Sequence, residues 1–283
     1  MYAATLAVIA DWIGLLELPT VLIQPRGADA HETPLTVRMV QRALSARRVI
    51  ATGLVEEYLP ALERVLQGRV PINRLAAHLQ PPPEDGHIWL DVRYVRQCGA
   101  QILQWATQDG LVNIPQRQAW QRFQLQLRHV QVRIREARRV LQGNAYLATH
   151  DAYLPLTQQL GMRSLGSFSV RGFSRRFVHQ HAHPHAHEHF HEHGHAHDHG
   201  VMSTIAAMRH FITEARREGA AMVLTPKPSP LANTLARTLR VPLVIADTLE
   251  MPDPHHDYFA RIQGLIDALE RAARLTRSAA TRV

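Results

Sequence analysis

Histidine carries most of the chemistry this sequence could do. Of 19 histidines, eleven fall at every second position of HQHAHPHAHEHFHEHGHAHDH: His179, His181, His183, His185, His187, His189, His191, His193, His195, His197 and His199. Alternating imidazoles interleaved with Glu188, Glu192 and Asp198 make a dense store of metal-binding groups. Low complexity, together with Pro184 and Gly194 inside the run, predicts a mobile loop over 174–201. Such a loop offers auxiliary sites for further, weakly bound ions. It is internal and mixed with acids, unlike a purification tag.

Outside the run, four residues stand at positions where an α/β protein places ligands. His31 lies in QPRGADAHETP just after the apolar run TVLIQP, and His87 lies in PPPEDGHIWLD. His150 ends NAYLATH, and Asp247 ends VPLVIAD. Three of the four follow or terminate a strand-like run, and open α/β sheets bind ligands outside the carboxyl ends of their strands. Three neutral imidazoles and a carboxylate suit a four-coordinate borderline metal, zinc first. Asp91 and Asp151 are placed to cap the helices that follow them, or to accept a proton from the far nitrogen of a ligating imidazole.

Positioning these residues requires a frame. Strands are expected over 20–25, 47–53, 144–150, 166–172, 220–226 and 241–247, alternating with helical patterns such as VEEYLPALERVL and SPLANTLARTL. That alternation predicts α/β layers with mostly parallel sheets flanked by helices. From Pro115 to Leu141 a single helical stripe runs through Trp120, Phe123, Leu127, Val130, Ile134, Ala137 and Leu141. At 1.5 Å per residue such a helix is about 40 Å long, and its mid-chain position predicts a rigid spar joining two lobes. The expected organisation is an amino-terminal lobe over 1–114, a linking helix over 115–141 and a carboxy-terminal lobe over 142–283. Two of the four candidate ligands precede the spar and two follow it, so an ion held by all four sits between the lobes.

The totals narrow the classes. A hydrophobic fraction of 46% is that of a globular protein. The formal charge of +8 is dispersed and almost wholly arginine, Lys227 being the only lysine, and no aromatic-basic motif accompanies it. Nucleic acid is therefore not an expected partner. A single cysteine, Cys98, excludes an intramolecular disulfide and a thiolate-rich site, and its apolar surroundings predict a small core residue. The start, MYAATLAVIADWIGLL, is interrupted by Asp11 and lacks a basic flank, so it reads as a first strand and helix. It is neither a signal peptide nor a membrane span, and no stable membrane insertion is expected.

GADAHETP, HIWLD and THDAYLPLTQQLG, in that order, resemble the motifs of the zinc/manganese substrate-binding proteins of ABC importers, in their zinc-binding type with a His-rich loop. The resemblance spans about Ala4 to Leu269, with ATGLVEEYLPALERVL matching a first-lobe turn and helix and VIADTLE the late strand and aspartate. It implies the two-lobed periplasmic metal-binding-protein fold, one Zn2+ between the lobes, an ABC-importer membrane permease as partner, a periplasmic location and a monomer. Carried over by position, the metal ligands are His31, His87, His150 and Asp247. A histidine at the third position is the zinc members' pattern. The sequence departs from the family after Asp247, where Thr248, Leu249 and Glu250 replace the usual Pro-Leu-Gly, so Glu250 or water is an alternative fourth donor.

The function these readings imply is high-affinity zinc capture and delivery to the permease. The alternative is a metal buffer or chaperone whose principal site is the His-rich loop and whose interlobe site is weakened. No catalysis is expected, because a site filled by four protein donors leaves no open position. A zinc hydrolase would require water in place of the aspartate.

Overall fold

The computed structural model describes residues 1–25, 31–169, 172–174 and 200–280. The histidine run His179 to His199, expected as a mobile loop, lies outside the described residues.

The first half lays short apolar strands side by side with helices between them: β1 (Tyr2–Ala4), α1 (Ala7–Leu15), β2 (Thr20–Leu22), α2 (Val37–Leu44), β3 (Arg48–Ala51), α3 (Leu59–Leu66) and β4 (Ile72–Arg74). All pair in parallel, in the order β2-β1-β3-β4. Every residue of β1 is buried, as is most of β3, which is why both read as apolar runs. β4 has only the three residues INR at the sheet edge, too short and polar to stand out in sequence. At the carboxyl end of β3 the chain turns at Gly53, whose φ of +79° suits glycine. Buried Glu56 satisfies that turn, accepting hydrogen bonds from the Thr52 and Gly53 N–H groups and from the Thr5 and Thr52 hydroxyls.

A short 3-10 turn over Ile88–Leu90 leads into α4 (Val92–Gln108), and α5 (Ile114–Leu141) follows. At 28 residues α5 is the long helix expected from the stripe, and Phe123, Leu127, Val130, Ile134, Ala137 and Leu141 are all buried on one face. Trp120 is only partly buried, stacked on Phe123 with ring centroids 5.6 Å apart. Pro115 sits in the first turn, where its missing N–H costs nothing, and the Gln116 side chain accepts the Asn113 N–H.

The second half contributes β5 (Ala145–Ala148), α6 (Leu154–Gln159), β6 (Arg163–Ser169), β7 (Gly172–Ser174), α7 (Gly200–Arg217), β8 (Ala220–Thr225), α8 (Pro230–Leu239), β9 (Leu243–Ile245) and α9 (Tyr258–Ala280). Its sheet runs β7-β6-β5-β8-β9 and is parallel except for the β6–β7 pair. The two-lobed α/β expectation, two mostly parallel sheets flanked by helices, is the architecture found.

α9 packs along α5. Phe259 meets Phe123 at 5.1 Å between centroids, Arg133 reaches Asp267 and Glu270 at 2.8 Å, and Arg277 donates to the Val140 carbonyl at 2.6 Å. The contacts advance together along both helices, so α5 and α9 run in the same direction. One apolar cluster passes through both halves, from Tyr2, Trp12 and Trp89 through the α5 stripe to Tyr153, Leu224 and Ile262. Cys98 is fully buried in it, as its sequence context suggested, and burial pushes its thiol pKa up. Among the described residues no helix is long and apolar enough to cross a membrane.

Candidate metal centre

Strand ends and one tight turn bring the site together. His31 follows β2, His150 stands two residues beyond the end of β5, and the loop after β9 carries Glu250. His87 opens the Ile88–Leu90 turn, with α4 capped immediately afterwards by Asp91, whose carboxylate accepts the Arg93 N–H at 2.8 Å. Asp91 therefore serves as the helix cap that was one of its two expected roles.

His31, His87, His150 and Glu250 each offer one donor atom, and these four atoms all lie within 4.8 Å of one another. The His31 and His87 Nε2 atoms are 3.3 Å apart, and Glu250 Oε1 is 3.3 Å from Nε2 of both His87 and His150. Zinc holds imidazole nitrogen and carboxylate oxygen at roughly 2.0–2.2 Å in a tetrahedron, whose edge is then roughly 3.3–3.6 Å. The close donor pairs thus stand at the spacing of a tetrahedral ion's ligands. Three nitrogens and one oxygen fit a borderline metal better than a hard one.

His87 is the best-supported donor. It is buried, and its Nδ1 lies 2.8 Å from Asp85 Oδ1, which also accepts the His87 backbone N–H at 2.7 Å. A carboxylate on the far nitrogen fixes the ring and turns Nε2 toward the centre, the usual support for a metal-bound imidazole. In the metal-free protein burial pulls the His87 pKa down, but the hydrogen bonds to Asp85 and Glu250 outweigh it and lift it to about 9. Burial likewise pushes Glu250 up, and the two imidazoles overcome this and hold it at about 2. Glu250 is buried, whereas His31 and His150 are half-buried at the rim.

The loop bearing Glu250 is fixed from several sides. Tyr153 donates to the Ala246 carbonyl at 2.7 Å, and the Trp89 indole N–H donates to the Thr248 carbonyl at 2.7 Å. Trp89 also packs edge-on against the His87 ring at 5.2 Å, so one buried indole ties the first-half turn to the second-half loop. Leu249 adopts φ +63°, a left-handed conformation costing a leucine roughly 1–2 kcal/mol.

Asp247, expected at the metal, is not a member of this group, and both its oxygens have other partners. Arg261 of α9 grips its Oδ2 at 2.8 Å, and its Oδ1 accepts the Leu249 N–H at 2.8 Å. The structure therefore joins three of the four residues carried over by resemblance and adds Glu250 in place of the fourth. Asp85 and Arg261 did not emerge from sequence. The one signal for Asp85 was an acid two residues before a histidine after a proline-rich turn.

Gly86 lies between Asp85 and His87 where a β-carbon would come within 2.6 Å of the Val55 side chain. Val55 is buried and stiff at χ1, so it yields poorly. Gly86→Ala is expected to displace the turn and weaken zinc binding by roughly tenfold to 100-fold, as loss of ligand support does elsewhere. Chelator competition on the purified variant checks this, and an unchanged affinity would show that the turn tolerates the methyl group.

Comparison with known proteins agrees with this geometry. The family described as zinc-uptake complex component A, periplasmic, matches residues 4–272. The chain belongs to this family. Zinc-uptake components of this kind are substrate-binding proteins of ABC importers, carriers of metal and not enzymes. No curated protein sequence matches the chain significantly. Among solved structures, the chain is similar to the periplasmic zinc-binding protein TroA from Treponema pallidum, with 14% identity, 96% of this chain and 98% of that one covered and a TM-score of 0.73. It is similar to the metal-dependent lipoprotein YcdH from Bacillus subtilis at the same identity, coverage and TM-score. FpvC from Pseudomonas aeruginosa, solved with Mn2+, gives 13% identity, coverage of 97% and 98%, and a TM-score of 0.72. At such identities these likenesses speak for the fold.

Proposed function

We propose that this zinc-uptake family member captures one zinc ion with high affinity through His31, His87, His150 and Glu250, and delivers it to the membrane permease of an ABC importer. The observation that supports this reading is the donor spacing: three imidazole nitrogens and a buried carboxylate converge within 4.8 Å, with three of the six pairs at 3.3 Å, the edge of a tetrahedral zinc site. The carrier works as a monomer in the periplasm, the location of its family. The organisation into an amino-terminal lobe, a linking helix and a carboxy-terminal lobe suits a site drawn from both sides of α5.

The histidines from His179 to His199 serve as an accessory reservoir that binds further ions weakly and feeds the main site. A chelator-competition zinc titration of the intact chain and of a variant lacking 179–199 tests both parts. The expected result is one tight zinc in each protein, with the extra weak ions lost from the shortened one. Disappearance of tight binding with the run would instead make this a histidine-loop buffer with a weakened interlobe site.

A further inference from the structure

We propose that Arg261 is a positioning residue that decides which carboxylate reaches the metal: by holding Asp247 against α9 it leaves Glu250 as the fourth donor. The inference rests on the reading that the four-donor group binds zinc.

Arg261 is deeply buried, its side chain only 3% exposed, while Asp247 remains 45% exposed. The Nε donates to Asp247 Oδ2 at 2.8 Å, one terminal nitrogen forms an ion pair with the same oxygen at 2.8 Å, and the Leu249 N–H takes Oδ1. Both oxygens of the aspartate are therefore engaged, one by α9 and one by its own loop. On the other side, the remaining terminal nitrogen lies 3.6 Å from Asp11 Oδ2 of α1, and both of these buried atoms lack a hydrogen-bond partner. A guanidinium stays charged, so a buried one needs its carboxylate. Moving Asp247 onto a metal ion would strand Arg261 with the single looser contact to Asp11.

Held in this way, the loop climbs through left-handed Leu249 and the Thr248 carbonyl anchored on Trp89, and it delivers Glu250 to His87 and His150. The arrangement also limits the site to one carboxylate. Release of Asp247 would bring a second hard donor within reach of the ion and shift preference from zinc toward manganese.

The test combines chelator-competition titrations of zinc and manganese with the visible absorption of bound Co2+, which reports tetrahedral coordination, and with melting curves. Asp247→Asn is expected to keep the tetrahedral cobalt spectrum and lose at most roughly tenfold in zinc affinity, the lower end of the cost of disturbing ligand support. Glu250→Gln is expected to lose roughly 100-fold or more and to change the spectrum. Adding Arg261→Met with Asp11→Asn to Glu250→Gln frees Asp247 without leaving a buried acid facing an apolar side chain. This variant should recover at least tenfold in zinc affinity, and further replacement of Asp247 by Asn should abolish the recovery.

Glu250→Gln with Arg261→Lys gives the same readout with the buried charge kept and the fork removed, should the larger change impair folding. Absence of recovery in a folded protein, or zinc lost with Asp247→Asn and kept with Glu250→Gln, overturns the proposal. Zinc binding indifferent to both Glu250→Gln and His87→Ala would overturn the site reading itself, which separates the two failures.

Discussion

His87→Ala is expected to remove tight zinc binding while leaving the fold intact. Small proteins gain roughly 10–16 kcal/mol from a four-ligand zinc site. Shared over four donors, the loss of one is worth roughly 3 kcal/mol, or more than 100-fold in Kd. His87 should exceed an average share, because Asp85 orients it and it stands 3.3 Å from both His31 and Glu250. The rise in melting temperature that zinc gives the native protein should vanish in the variant, since a ligand stabilises a fold only through its binding. His129→Ala, an exposed position on α5, serves as the control and should retain both affinity and thermal shift. Full zinc affinity in His87→Ala would place the tight site elsewhere in the chain.

Acid should release the ion, and the metal-free protein should respond to pH in the opposite sense. Zinc takes neutral imidazole, so the proton that His87 holds up to pH about 9 must leave on binding. Affinity is therefore expected to fall about tenfold per unit as pH drops below that value.

Without metal the sign reverses. The His87 pKa is raised by folding, so its contribution to stability is present below roughly 6.5 and disappears as pH climbs through about 9. The Glu250 pKa is lowered, so its contribution is present above roughly 4.5 and disappears as pH falls through about 2. Melting temperatures recorded from pH 4 to 9 should thus decline toward alkali for the metal-free protein and rise for the zinc-saturated one. Parallel curves, or full zinc occupancy at pH 5, would contradict the imidazole site.

The sequence made the frame and three members of the candidate group legible for identifiable reasons. Strands such as β8 and helices such as α5 declare themselves because burial on both faces gives continuous apolar runs, and burial on one face gives a 3.6-residue stripe. His31, His87 and His150 sit in short motifs at strand ends or after a proline-rich turn, outside any apolar stripe. The exchange of Asp247 for Glu250 was visible only as an irregularity, because it depends on an arginine 14 residues further along and on a left-handed leucine. Neither has a local signature: Arg261 reads as one more charge on an arginine-rich helix, and leucine rarely enters that conformation. β7, a three-residue antiparallel addition to the sheet edge, escaped for the same lack of pattern.

Parallel packing of α5 and α9 and a core shared by both sheets are expected to resist a clamshell swing of one half against the other. A stiff carrier announces its cargo locally. On the proposed function, a permease receiving the ion would tell loaded from empty at the site itself, where half-buried His31 and His150 lie, and not from a change in the outline of the whole molecule.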